Sequence, residues 1–227
     1  MAVSFRDSKS ESKCYFVTTS CYKHIPLIAL SKGYNHVANS VNNYTTKYDT
    51  DVLSYVIMPN HLHLLLYFKQ EVRLSNLMRD IKKQSSFKIR NELQHTSPYI
   101  IPRLVFEDRN QVYKVWEDGF HDFQVFTADM LLQKLNYIHN NPLQEKWQLS
   151  KTAEDYMYSS AGFYRFNTEG LIKTEVFTKY FDVKKNKAFR FGKLQRWILK
   201  DEEENLIGRI AAFNNKKYKN KGDDVPV

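Results

Sequence analysis

The chain has 227 residues, of which 42% are hydrophobic, and it carries a formal net charge of +9 with a pI near 9.3. This length suits one domain with an appendage, and the positive charge points to a polyanionic partner, with nucleic acid favoured over an acidic membrane surface. The sequence contains neither the roughly eighteen consecutive apolar residues of a membrane helix nor a signal-peptide core. We therefore expect a soluble, cytoplasmic, nucleoid-associated protein with no membrane partner.

The first part of the chain predicts a strand and a helix after a short polar segment. Residues 1–12 are polar, and we expect them to be flexible. Residues 15–20 are rich in aromatic and β-branched side chains, which favour a strand. Residues 31–48 follow as a helix, although Asn and Thr weaken its propensity. The two cysteines, Cys14 and Cys21, lack the Cys-x-x-Cys spacing and are expected to be reduced, structural thiols.

A hairpin follows, with strands at residues 52–58 and 61–68 and a tight turn at Pro59-Asn60. Its second strand begins with His61 and His63. Alternate side chains of a strand share a face, so the two imidazoles lie roughly 6.6–7 Å apart at their Cα atoms and can hold one metal ion. A buried face otherwise disfavours two neighbouring imidazoles. The pair predicts a metal site that needs a further ligand; two half-exposed histidines bonded to backbone are the alternative.

The next predicted helix, residues 75–93, has an apolar side and a basic side. The apolar side has helical spacing and comprises Leu74, Leu77, Met78, Ile81, Ser85 and Ile89. Arg79, Lys83 and Arg90 fall on the opposite side with Lys82 flanking, which makes these four residues candidates for contacts to a DNA backbone. A solvated helix face is an equally weighted alternative.

Residues 94–115 predict an irregular connector, and residues 116–126 a strand with a bend at Gly119. A short helix is expected at residues 158–166. The order strand–helix–strand–strand–helix–strand–helix predicts an α+β fold in which helices cover an antiparallel sheet, as in ferredoxin-like or RRM-like sandwiches. We assign this domain to residues 13–170 and a basic C-terminal extension to residues 171–227.

The helix that begins at Thr127 and runs to about residue 140 carries a second motif. Pro142 is expected to stop it and to bias Asn141 away from helical geometry. Tyr137 and Asn141 are four positions apart and lie on one helix face. A phenol can act as a nucleophile and an amide oxygen as a third metal ligand. Alternatively, Tyr137 is a core residue at a plain Asn-Asn-Pro helix stop.

Together these motifs resemble the single-tyrosine transposases of the His-hydrophobe-His (HUH) endonuclease class. The signatures are Met-Pro-Asn-His-Leu-His-Leu-Leu-Leu at residues 58–66 and Tyr-Ile-His-Asn-Asn-Pro at 137–142. Further similar pieces follow in the right order, at residues 15–19, 81–83, 116–122 and 158–161. The resemblance spans roughly residues 14–165. The chain length and the Asn four positions after the tyrosine make it most similar to the REP-associated tyrosine transposases.

The resemblance implies a metal-dependent enzyme that cleaves and rejoins single-stranded DNA at palindromic hairpins. It assigns Mg²⁺ or Mn²⁺ to His61, His63 and Asn141, and it makes Tyr137 the nucleophile that forms a 5′-phosphotyrosine and releases a 3′-hydroxyl. Two imidazoles bind Mg²⁺ weakly and favour Mn²⁺. The protein is expected to act as a monomer or a homodimer. The competing hypotheses are a metal-dependent phosphodiesterase that activates water, and a nucleic-acid-binding module without catalysis.

Overall fold

The computed structural model describes residues 12–108 and 111–182. The strands are β1 (Cys14–Ser20), β2 (Thr50–Ile57), β3 (His61–Phe68), β4 (Val105–Asp108), β5 (Gln111–Tyr113) and β6 (His121–Val125). The helices are α1 (Leu27–Leu30), α2 (Tyr34–Lys47), α3 (Leu74–Thr96), α4 (Ala128–Asn140) and α5 (Ala161–Phe166). Short 3-10 turns lie at Tyr22–His24, Pro98–Leu104, Asn141–Leu143 and Phe177–Lys179. None of the helices in these described ranges has the length and apolar character needed to cross a membrane.

Four strands form one antiparallel sheet in the order β2-β3-β1-β6. The predicted α+β fold with an antiparallel sheet and covering helices is confirmed. Directly opposed residues share a face, so the pairings Thr18–His63 and Phe16–Leu65 place these four side chains together. The turn at Pro59-Asn60 is closed by the Met58 N–H, which donates to the His61 carbonyl at 2.8 Å.

The two faces of the sheet contact different helices. Leu62, Leu64 and Leu66 project from one face of β3 and pack in a core with α2 and α3. The opposite face carries His61, His63 and Leu65, and α4 packs over it through a second core. We call these the α3 face and the α4 face.

The predicted helices are present with shifted ends, and the predicted geometry of Asn141 is wrong. Thr127 caps α4, its side-chain oxygen accepting a hydrogen bond from the Met130 N–H at 3.2 Å. Asn141 has helical dihedrals, φ −57° and ψ −43°. A following proline disfavours helical dihedrals at the preceding residue but does not forbid them. Pro142 is tolerated because it lies in the first turn of the 3-10 segment, where its missing N–H needs no acceptor. Asn141 therefore stays in helical register with Tyr137.

Two further differences from the sequence-based predictions concern the connector at residues 94–115 and the end of the domain. The connector at residues 94–115 contains the Pro98–Leu104 turn and the β4-β5 hairpin. The domain extends past the predicted limit at residue 170, because Ile172 and Phe177 are fully buried in the two cores. Residues 1–11 of the predicted flexible segment, and the extension from residue 183 onward, lie outside the described residues.

The outer edge of β2 is covered by the chain that follows α4. The Ile57 N–H donates to the Tyr158 carbonyl at 2.8 Å, and the Ser160 N–H donates to the Tyr55 carbonyl at 3.0 Å. Further along, the Glu175 N–H donates to a carbonyl of β2 at 2.9 Å. The backbone groups that an outer strand normally exposes are therefore partly satisfied here.

Both cysteine thiols should be unreactive in the folded protein. Cys14 and Cys21 are unpaired and fully buried, and burial raises the pKa of each thiol to about 12. Because only the thiolate reacts, raising the pKa from 9 to 12 lowers its population about 1,000-fold near pH 8. We expect a thiol-reactive dye to label neither cysteine in native buffer and both in denaturant. Rapid labelling of the native protein would contradict this burial.

Candidate active site

The structure brings the three predicted metal ligands together on the α4 face. His61 Nε2 lies 3.3 Å from Asn141 Oδ1, and His63 Nε2 lies 3.2 Å from Asn141 Nδ2. The two imidazole centroids are 4.8 Å apart. The hairpin supplies both histidines, and the 3-10 continuation of α4 delivers the amide between them.

The neighbours of His61 fix which of its nitrogens carries the proton. Asn60 Nδ2 donates to the His24 carbonyl at 2.8 Å, which turns Asn60 Oδ1 toward His61 Nδ1 at 2.6 Å. An amide oxygen only accepts hydrogen bonds, so His61 Nδ1 must carry the hydrogen. The lone pair of neutral His61 is then on Nε2, facing Asn141. His24 reaches its position through a left-handed backbone, with φ of 54° following 52° at Lys23, and such conformations cluster at functional sites.

Thr18 and Asn141 flank the two ring nitrogens of His63. Its Nδ1 lies 2.7 Å from the hydroxyl of Thr18, the residue opposite it on β1. Its Nε2 lies 3.2 Å from Asn141 Nδ2, and a metal bound at Nε2 would leave the hydrogen on Nδ1, directed at the Thr18 oxygen. Histidine ligands of metals typically donate their other ring N–H in this way.

The resulting arrangement fits a divalent cation. His61 Nε2 and the Asn141 amide oxygen lie 3.3 Å apart. Imidazole nitrogen and amide oxygen are both donors that a divalent cation accepts, and at this separation both can reach one ion. The candidate donor set is mixed, with two imidazoles and one amide. Across the described residues, no cluster of three or more His, Cys, Asp or Glu side chains is placed to hold a metal ion.

Both imidazoles are held neutral at physiological pH. Burial lowers the pKa of His61 to about 4 and that of His63 to about 3, and the positive charge of Lys146 acts in the same direction on both. His63 is further affected by His61 and Lys134. A neutral imidazole is the form that binds a metal.

Tyr137 lies beside this cluster in the same chain. Its ring centroid is 5.2 Å from that of His63 and 5.9 Å from that of Phe16, with edge-to-face geometry in both pairs. The side chain is 44% exposed. The alternative in which Tyr137 is a core residue therefore does not describe its position, because a substrate can reach it from solvent.

A buried polar network anchors the helix that carries Tyr137. His139 Nε2 lies 3.1 Å from Ser54 Oγ and 2.9 Å from Ser160 Oγ, and the two hydroxyls are 2.9 Å apart. Burial lowers the pKa of His139 to about 3, so the ring is neutral. The network ties α4 to β2 and to the segment before α5.

The structure does not bring the four predicted DNA-binding residues to this cluster. Arg79, Lys82, Lys83 and Arg90 belong to α3, which packs on the opposite face of the sheet. The Lys82 ammonium instead donates to the carbonyls of Glu117 and Gly119, at 2.6 Å each, and burial lowers the pKa of this lysine. Lys82 therefore joins α3 to the loop before β6. The guanidinium of Arg79 is bonded to its neighbours Asp80 and Asn76.

Two other lysines flank the cluster and were missed in the sequence. Lys134 and Lys146 are close enough to lower the pKa of His63, and Lys146 also affects His61. Lys134 had a sequence signal, because it lies three positions before Tyr137 and so shares its helix face. Lys146 follows the helix in a turn segment and had no periodic signal. Trp147, beside Lys146, has its ring centroid 5.7 Å from that of His61.

Comparisons with known proteins relate this chain to a transposase family. The model of the family described as "Transposase IS200 like" matches residues 9–141. A solved REP-associated tyrosine transposase bound to a REP hairpin has a TM-score of 0.52 and 16% identity, covering 70% of this chain and 82% of the other. A candidate transposase from Deinococcus radiodurans R1 has a TM-score of 0.38 and 13% identity, covering 61% and 97%. No curated protein matches the sequence.

Proposed function

Because this chain belongs to the IS200-like transposase family, we propose that it cleaves and rejoins single-stranded DNA with Tyr137 as the nucleophile. The single observation that carries the proposal is the position of the Tyr137 ring, 5.2 Å from that of His63 and open to solvent. The phenol is thus next to two neutral imidazoles whose Nε2 atoms lie 3.3 and 3.2 Å from one side-chain amide. Each chain contains both halves of this candidate site, so either a monomer or a homodimer can act.

The residues that would hold a divalent ion are His61, His63 and Asn141. When bound there, Mg²⁺ or Mn²⁺ supplies Lewis-acid polarisation of a phosphate oxygen. Two nitrogen ligands favour Mn²⁺ over Mg²⁺, which prefers oxygen donors.

Tyr137 performs the bond exchange. Its phenolic oxygen attacks the phosphorus, a new P–O bond to the tyrosine forms, and the bond to the 3′-oxygen breaks. The phenolic proton is lost to solvent, and the departing 3′-oxygen takes up a proton to become a hydroxyl. The DNA on the 3′ side of the cut stays linked to the protein as a 5′-phosphotyrosine, which stores the phosphodiester bond for rejoining. No nucleotide cofactor is needed.

Lys134 and Lys146 supply positive charge around the reacting phosphate. Both are close enough to the imidazoles to influence their protonation. Positive charge near the scissile group stabilises the extra negative charge that develops during phosphoryl transfer. These two lysines replace the residues of α3 as our candidates for phosphate contacts at the site. For Lys83 and Arg90, a contact to DNA beyond the site stays a prediction.

We further propose that the substrate strand forms a hairpin of a palindromic repeat. The similar fold of a transposase solved with a REP hairpin supports this proposal, as does the net charge of +9. A contact between the stem of such a hairpin and the basic extension, whose residues from 183 onward lie outside the described part of the chain, stays a prediction.

A covalent-adduct assay tests the proposed function. The protein is incubated with Mn²⁺ and a hairpin DNA that has single-stranded flanks and a 3′-end label, because only the 3′ side of the cut stays bound. We expect a labelled protein band under denaturing conditions, and peptide mapping should place the nucleotide on Tyr137. Cleavage without an adduct would favour the water-activating phosphodiesterase. Binding with no cleavage, across several metals and hairpins, would favour the non-catalytic module.

Asn60 should be required for tight metal binding although it is not a ligand. Asn60→Ala removes the acceptor that holds the hydrogen on His61 Nδ1, so the Nε2 lone pair is no longer fixed toward the ion. We expect the affinity for Mn²⁺, measured by calorimetry, to fall about 10- to 100-fold. Asn76→Ala, at an exposed position of α3, is the matched control and should bind Mn²⁺ normally. Unchanged affinity in Asn60→Ala would show that this hydrogen bond does not orient the imidazole.

A further inference from the structure

Among the described residues, no helix covers the β6 side of the α4 face. Helix α4 packs over β2 and β3, while β6, at the other side of the sheet, has exposed side chains at His121 and Phe123. Phe123 is 43% exposed, although phenylalanine is usually buried. An exposed aromatic ring on this face of the sheet requires an explanation.

We define an aromatic platform here by three residues: Phe123, which is exposed, and Phe16 and Lys134, which are half-buried. Phe16 and Phe123 are directly opposed in the β1-β6 pairing, so their rings lie side by side on the same face. The Phe16 ring also contacts the rings of His63 and Tyr137, at centroid distances of 5.5 and 5.9 Å. The platform is therefore continuous with the candidate active site.

Lys134 adds a cation to the two rings. Its ammonium lies 4.8 Å from the centroid of Phe16 and 4.6 Å from that of Phe123. Within the described part of the chain, no carboxylate forms an ion pair with it. A lysine that contacts aromatic rings rather than a carboxylate can turn its charge to an incoming phosphate at small cost, because a partly exposed cation–π contact is weaker than the stacking of a base on the same ring.

We propose that the aromatic platform stacks an unpaired base of the substrate strand, with Lys134 on the adjoining phosphate, and so positions the strand beside Tyr137. The inference rests on the proposed function and adds a base-binding subsite to it. Aromatic rings on a sheet with nearby positive charge are a general means of binding single-stranded nucleic acid. Stacking is tolerant of sequence, because every base presents a π-face.

The charge argues for a nucleotide rather than a second protein chain as the occupant. A protein interface core is depleted in charged residues, and lysine in particular is disfavoured there. Here a lysine lies over both rings. The alternative occupant is a second copy of this chain docking on β6. The experiment below includes that alternative as an outcome.

The test uses an oligothymidylate of about twelve nucleotides that carries one 2-aminopurine at each position in turn, with fluorescence quenching as the sign of stacking. Phe123→Ala should weaken binding by about 5- to 100-fold and remove the quenching, which is the loss of one stacked base. Phe123→Leu should behave like alanine, because it restores bulk without a π-face, and Phe123→Trp should restore binding. The matched control is Phe87→Ala, at an exposed position of α3. It should leave the strand affinity and the fluorescence quenching unchanged.

Lys134→Gln gives an independent measurement. Loss of one phosphate contact should lower the slope of log affinity against log salt by about 0.7 for a single strand. Lys134→Arg should keep the slope.

The outcomes separate this inference from the proposed function. If Phe123→Ala and Phe123→Leu bind and quench as the wild type does, the platform is wrong, and an adduct on Tyr137 in the same preparation would leave the proposed function intact. If Phe123→Ala converts a dimer to a monomer at unchanged strand affinity, the face is an interface between copies, and the platform is likewise overturned. If the quenching depends on Phe123 but no adduct ever forms, the platform stands and the proposed function fails.

Discussion

Tyr137→Phe is expected to abolish the covalent protein–DNA adduct and to lower strand cleavage by about 10⁴-fold or more. The substitution removes one oxygen atom, the proposed nucleophile, and enzymes that lose their nucleophile show losses of this order. The ring remains, so the edge-to-face contacts with His63 and Phe16 are preserved. The affinity for hairpin DNA should be nearly unchanged, because it comes largely from phosphate contacts. The measurement is the rate of adduct formation under single-turnover conditions.

Two further variants make this result specific. Tyr99→Phe removes the same atom from an exposed tyrosine in the Pro98–Leu104 turn, and it should cleave at the wild-type rate. His61→Ala should lose cleavage and Mn²⁺ binding together while it keeps most DNA binding. Cleavage that persists in Tyr137→Phe would mean that water is the nucleophile.

The metal-free protein is expected to lose about 6 kcal/mol of stability between pH 7.5 and pH 5. Burial lowers the pKa values of His63 and His139 from 6.5 to about 3, and that of His61 to about 4. Well above pH 6.5 these imidazoles are neutral in both the folded and the unfolded protein, so they cause no change in stability there. As the pH falls below 6.5 the unfolded chain takes up protons that the folded protein excludes, so stability decreases until the folded pKa is reached. At pH 5 this amounts to about 2 kcal/mol for each residue.

Urea denaturation in the presence of a chelator, at both pH values, measures this loss. It is a large fraction of the roughly 5–15 kcal/mol that stabilises a typical domain. His139→Gln can still hydrogen-bond to Ser54 and Ser160 but does not titrate, so its pH-dependent loss should be smaller by about 2 kcal/mol. His95→Gln, at an exposed position near the end of α3, is the control and should show the wild-type dependence. A flat stability profile for the wild type would contradict the burial of these imidazoles.

Much of the site was predictable because it depends on local periodicity. The spacing of two residues between His61 and His63 fixes a common strand face, and the spacing of four between Tyr137 and Asn141 fixes a common helix face. The expected effect of Pro142 on Asn141 was wrong, because a statistical preference gave way to a 3-10 turn. The helical geometry strengthens the predicted site, since it keeps the amide on the tyrosine's side of the helix.

The side of the sheet on which each helix packs was not predictable from periodicity. The spacing within α3 separates Arg79 and Lys83 from its apolar side, but it does not tell which face of the sheet that side covers. The right-handed crossover rule would place α2 and α3 together on one face, yet it needs the strand order β2-β3-β1-β6, which the sequence does not display. The role of Asn60 was likewise hidden, because it depends on a backbone carbonyl from a distant left-handed turn.

The covered outer edge of β2 has a consequence for self-association. Exposed outer strands allow sheets to add further chains and grow into fibres. Here residues 158–175 already bond to part of the β2 margin of the sheet, so among the described residues β6 is the margin with more room for an added strand. Addition at one margin of each chain joins two sheets into a closed pair, whereas an open polymer would need both margins.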